Sequence, residues 1–403
     1  MTVKDSFETA GMRTTSGAPE LAGHVPDRDS DPVARMRAAG AVIAGKTNLP
    51  IYAGDCQSYN EVFGTTNNPW NTARTPGGSS GGAAAALAAG LTPIEVGSDI
   101  GGSIRGPAST CGVTGHKPSY GIVSARGQIP GPPGTLTQAD LAAAGPMARN
   151  VDDLELGLDV LAGPDDWNRA AYRLELPPAR HESLGGFRVA AWCHESAAPI
   201  DGEVASLLEQ AAKALADGGA RVDFEARPAF TFEKAIDCFE RLLAAALAGE
   251  IPKQGIESAA AVEGDDVLSR ALRSRALRHR EWLSLNERRL QLRQRWHEFF
   301  KQWDAVLLPV LPTTAIPHDH SQPAAERTID VNGTPRPYFD QTLWVGLTGV
   351  AFLPATIVPV GVTSEGLPVG IQIAGPFLED RTTLALGRHL ERILGGFQRP
   401  PGF

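Results

Sequence analysis

Residues 75–119 read TPGGSSGGAAAALAAGLTPIEVGSDIGGSIRGPASTCGVTGHKPS. Two glycine-serine knots stand out, Gly77-Gly78-Ser79-Ser80-Gly81-Gly82 and Gly101-Gly102-Ser103. Glycine lets backbone N–H groups crowd around one oxygen, because no Cβ blocks the approach. Acyl transfer needs that arrangement: a nucleophilic hydroxyl and donors for a developing oxyanion. Between the knots, Gly82 to Gly90 is nearly all alanine and predicts a closely packed buried helix. Thr92 to Ser98 predicts a short strand running into the second knot.

Outward from this centre, the pattern predicts an α/β fold. Asp31 to Gly40 reads as a short helix stopped by glycine, and Ala41 to Gly45 as a buried strand. Asn60 to Pro76 is turn-rich. Val151 to Leu161 reads as a helix and Gly185 to Cys193 as a strand. Helices are then expected over about Glu203 to Ala216, about Phe232 to Ala248 and, as one long element, about Asp265 to Trp303. Ala305 to Val310 reads as a buried strand closed by prolines. The last hundred residues alternate strand and turn before a helix near Arg381 to Leu394. Strands at both ends with helices between them define the class.

The chain has 403 residues and a net charge of −9, which argues against a nucleic-acid or anionic-membrane partner. Nine arginines crowd Arg270 to Arg295. Interspersed Glu281 and Glu287 favour a solvated, salt-bridged face over a nucleic-acid arm. The four cysteines are scattered without a CxxC and read as reduced thiols of a cytoplasmic protein. No apolar run approaches the roughly 18 to 20 residues of a membrane span.

Three chemistries compete for the knots. Ser103 can serve as nucleophile, with Ile100, Gly101, Gly102 and its own N–H lining an oxyanion pocket. Gly77 to Gly81 formally fits the G-x-S-x-G elbow, but follows a loop rather than the strand that motif requires. A phosphate loop would need GxxxxGK[ST], which is absent. His318 and His320 flank Asp319 as a conceivable metal pair, without a partner motif; no metal and no cofactor is expected.

These strings resemble the amidase signature family: GGSSGG, then SDIGGSIRGPASTCGVTGHKPS, with GKTNLP, FGTTNNPW and PATIVPVGVTSEGLPVGIQIAGP flanking them. The resemblance is strong over roughly 1–165 and 305–395 and weak across the helical middle. It implies a single domain over 1–403, with a core at 1–165 and 305–403 and a variable helical region at about 185–303. It also implies a large mixed sheet covered by helices on both faces. The implied activity is amide hydrolysis through a seryl acyl-enzyme, acting on a small-molecule amide. The A component of a glutamine-dependent tRNA amidotransferase, or a noncatalytic remnant, are the alternatives, and a homodimer is left open.

The resemblance assigns the site residue by residue. Ser103 would be the acylated nucleophile, Ser79 the bridging serine after a cis peptide bond, and Lys4 of VKDSFETAGMRTTSG the base. Ile100, Gly101 and Gly102 would supply the oxyanion donors, with Ser80, Asp99 and Arg105 supporting the turn. Lys46 of GKTN is the other lysine to weigh, but its string matches a different part of the family pattern. Relatives carry some tens of residues before the lysine, which this sequence lacks. Either Met1 is internal to a strand ending in MTVKD, or Lys4 lies on a frayed, solvated end, where it keeps its high pKa and is a poor base.

Overall fold

A computed structural model describes residues 1–403, the side chains of Glu250 and Val267 excepted. Its centre is a mixed sheet of ten strands among the described residues. In chain order these are β1 (Thr2–Lys4), β2 (Gly45–Thr47), β3 (Ile94–Asp99), β4 (Thr114–Lys117) and β5 (Ala143–Ala148), then β6 (Arg188–Ala191), β7 (Arg221–Asp223), β8 (Ala305–Pro309), β9 (Ala355–Val362) and β10 (Pro368–Ala374). Their spatial order is β2-β1-β3-β5-β4-β9-β10-β8-β6-β7. Parallel pairs sit at the two ends, β2/β1/β3 and β8/β6/β7, and antiparallel ladders join them.

Eleven helices surround the sheet among the described residues: α1 (Asp31–Ala38), α2 (Gly81–Ala88), α3 (Arg105–Cys111), α4 (Val151–Leu161), α5 (Gly202–Asp217), α6 (Phe232–Ala246), α7 (Lys253–Ala260), α8 (Val267–Ser274), α9 (His279–Phe299), α10 (Leu343–Gly349) and α11 (Asp380–Leu394). Helices α4, α5 and α11 pack together on one face. Helices α2, α3 and α10 pack on the sheet elsewhere, and α6 covers α10 and carries α8 and α9. All eight residues of α2 are buried, as a run of glycine and alanine allows when a helix must approach a sheet closely. No described helix is long and apolar enough to cross a membrane.

The α/β class, the central sheet and most of the expected element positions agree with the structure, and three of the expectations differ from it. The strand expected over Ala41 to Gly45 lies instead at Gly45–Thr47, and Val42 is 78% exposed. An apolar run at a sheet edge is not buried by its composition alone. The single helix expected over Asp265 to Trp303 is two helices, α8 and α9. Glu281 restarts the second by accepting the Arg278 N–H at 2.9 Å, a carboxylate cap three residues into the helix. Arg289, expected on a solvated face, is buried and pairs with Asp140 at 2.6 Å.

The parallel trio β2/β1/β3 positions the site. Loops leaving the carboxyl ends of neighbouring parallel strands converge, which is where open α/β sheets bind ligands. Lys4 ends β1, and the Asp99-to-Ser103 turn follows β3.

Candidate active site

Lys4 is fully buried, contrary to the frayed, solvated end that was one expectation. Strand pairing on both sides holds β1, and the Met1 ammonium donates to the Val42 carbonyl at 2.8 Å. Lys4 Nζ lies 2.6 Å from Ser79 Oγ and 3.0 Å from Ser98 Oγ. Burial pulls its pKa from the usual lysine range down to about 7, with Asp99 and Glu95 opposing the shift. A lysine so placed is substantially neutral near pH 7 and able to take a proton. Ser98 escaped the sequence reading, although it sits in the same SDIGGS string.

Lys46 is also buried, and burial brings it down to about 8. Its ammonium, however, faces the Phe7 carbonyl and the hydroxyls of Thr9 and Thr14, with Asp5 at 3.7 Å. It touches no serine of either knot.

The Gly78–Ser79 peptide is cis. Ser58, also missed in the sequence, braces this knot: its hydroxyl donates to the Gly77 carbonyl and accepts the Gly81 N–H, both at 3.0 Å. The two knots are tied directly, since the Ser80 N–H donates to the Ser103 carbonyl at 3.1 Å. Ser80 Oγ turns to the Ser98 carbonyl at 3.4 Å. The Ser103 hydroxyl makes no hydrogen bond among the described residues and is half-buried.

Asp99 and Arg105 form a fully buried pair beneath the second knot. Asp99 accepts the N–H groups of Gly102 (2.9 Å) and Ile104 (3.1 Å) and two guanidinium contacts from Arg105. Arg105 continues to the Val345 carbonyl, Thr348 and Gln372 at 2.7 to 2.9 Å. Burial alone would raise the Asp99 carboxyl; the Arg105 guanidinium overrides this and holds it below the ordinary carboxylate range. Of the three expected oxyanion donors, Gly102 is therefore already engaged by Asp99. The N–H groups of Ile100, Gly101 and Ser103 have no acceptor among the described residues.

The His318–Asp319–His320 stretch does not form a metal centre among the described residues. His320 instead stacks on Tyr59, with ring centroids 3.7 Å apart.

The family model named Amidase matches residues 1–384. The chain belongs to the amidase signature family. It is 33% identical over 426 residues to the A component of the glutamyl-tRNA(Gln) amidotransferase of Roseiflexus sp. (strain RS-1), covering 99% of this chain and 83% of that protein. Among solved structures, the A component of the same enzyme from Thermotoga maritima superposes with a TM-score of 0.80 at 28% identity, covering 99% of this chain and 85% of that one. A bacterial aryl acylamidase, itself an amidase signature enzyme, matches with a TM-score of 0.80 at 25% identity, covering 97% and 82%. Similarity to this family thus extends through the helical middle as well as the two core segments.

Proposed function

We propose that this amidase signature protein hydrolyses a carboxamide through an acyl-enzyme on Ser103. The observation that carries the reading is the 2.6 Å contact between buried Lys4 Nζ and Ser79 Oγ, with the Ser79 knot tied to the Ser103 backbone. Neutral Lys4 takes the Ser79 proton as Ser79 takes the Ser103 proton, and Ser103 Oγ attacks the amide carbonyl. The free Ile100, Gly101 and Ser103 N–H groups supply the donors for the developing oxyanion. The proton returns along the same path to the leaving nitrogen, the C–N bond breaks, and water then cleaves the ester to carboxylate. The four free cysteines suit a reducing, cytoplasmic setting.

A second reading, a glutamine-using A component of a tRNA amidotransferase, draws on the name of the Roseiflexus relative. The purified chain alone separates the two. Hydrolysis of a simple amide that vanishes in Ser103→Ala supports the amidohydrolase. Activity on glutamine alone, and only with partner proteins added, supports the amidotransferase. No difference between the chain and Ser103→Ala on any amide refutes both.

A further inference from the structure

Helix α9 turns one face toward a cavity of about 490 Å³ that no residue of the two knots lines. Leu290, Arg293 and His297 come from the helix, three or four residues apart and therefore on one side of it. Leu353 comes from the turn before β9, and Phe377 and Glu379 from the turn after β10. Arg293 stands out among them. Its half-buried guanidinium lies over two rings, 4.4 Å from the Phe377 centroid and 5.1 Å from the Phe352 centroid. It makes no hydrogen bond among the described residues, yet none of its nitrogens is sealed from solvent. Burial and the neighbouring Arg289 both lower its pKa, and no acidic group opposes them. The other charges around the cavity are already matched. Arg180 holds Glu379 through two contacts, at 2.5 and 2.7 Å, and Lys301 holds Glu298 at 2.7 Å. A partly desolvated cation without a counter-charge is costly, and the described residues supply none.

We propose that this cavity binds a small monocarboxylate with an aryl or alkyl body, at a site separate from the two knots. The carboxylate accepts from Arg293, whose planar fork matches two oxygens at once. The two rings hold that fork in place, so less freedom is lost when the ligand arrives. One unpaired cation matches one negative charge, which favours a carboxylate over a phosphate carrying nearly two. The body of the ligand lies on Leu353 and Phe377, where apolar area leaves water. The site does not depend on which reaction Ser103 performs.

The test is isothermal titration of the full chain with phenylacetate at about 0.15 M salt, where distant charges are largely screened. Phenylacetate is expected to bind with a Kd of about 1 mM or tighter. Acetate, which lacks the ring, and 2-phenylethanol, which lacks the charge, should each bind at least about tenfold more weakly. Arg293→Gln should weaken phenylacetate about tenfold or more. Arg295→Gln, on an exposed arginine of the same helix outside the cavity, should leave it unchanged. As a second arm that keeps Arg293 in place, Leu290→Glu sets a competing carboxylate one turn away, at a position 45% exposed, and should weaken binding by a similar factor. Equal losses in Arg293→Gln and Arg295→Gln, or inorganic phosphate bound as tightly as phenylacetate, would reveal a general positive field and overturn the site. Binding that ignores both Arg293→Gln and Leu290→Glu, or no binding at several millimolar phenylacetate, overturns it as well.

Discussion

Lys4 Nζ stands 2.6 Å from Ser79 Oγ across 75 residues of sequence, which joins the first strand of the sheet to the first glycine knot. The contact is made wholly inside the protein, and that burial gives the lysine its chemistry. Its ordinary pKa, near 10.5, falls to about 7.

A buried lysine that is neutral when folded weakens the fold at neutral pH, and the sign follows from linkage. Between about pH 7 and 10.5 the unfolded chain binds a proton at this position that the folded chain does not, so stability rises with pH through that window. The penalty is full below about pH 7 and gone above 10.5. Lys4→Met removes it. The variant should be more stable than the parent by a few kcal/mol near pH 7, and the gain should vanish above pH 10.5, as read by urea denaturation across that range. Its amidase activity should fall by about a hundredfold or more. A variant destabilised equally at every pH would mean that Lys4 is charged and paired in the fold.

Asp99→Asn leaves Arg105 with its neutral acceptors but without its counter-charge, in a site where both side chains are fully buried. Breaking such a pair from one side costs about 3–5 kcal/mol. Chemical denaturation should show a loss of that order. A loss below about 1 kcal/mol, the range of an exposed ion pair, would contradict the buried clamp.

Gly102 has φ +107°, and a Cβ there would lie 2.8 Å from Val345 Cγ2. Gly102→Ala is therefore expected to cost roughly 1–3 kcal/mol and, by displacing Ser103, to reduce kcat about a hundredfold. Gly101→Ala is the control for folding, because its nearest neighbour is at an ordinary 3.6 Å. Thermal melts of the two variants should differ in that order; equal melting temperatures would remove the steric argument.

Much of this site was legible in the sequence, and for a physical reason. A glycine-rich turn that must crowd N–H groups around an oxygen tolerates few other residues, so both knots announce themselves. The VKDS string also pointed to Lys4, but not to its burial, which depends on β2 and β3 flanking a three-residue strand. Ser98 and Ser58 carry no such mark; each matters through a partner distant in the chain. Strands β4 (TGHK) and β5 (AAGPMA) escaped notice because Thr114 is the one β-branched residue in the two and neither holds Val, Ile, Tyr, Phe or Trp. Central position in the sheet overrides that propensity. Ala41 to Gly45 shows the opposite case, an apolar run left largely outside the ladder.

The pH dependence of fluorophosphonate labelling, with the modified peptide mapped at each pH, tests the central claim most directly. The account predicts a single adduct on Ser103, formed at a rate that rises with pH through an inflection near 7 and that collapses in Lys4→Met. An adduct on Ser79 or Ser80, or labelling of Ser103 that is indifferent both to pH around 7 and to Lys4, would contradict it.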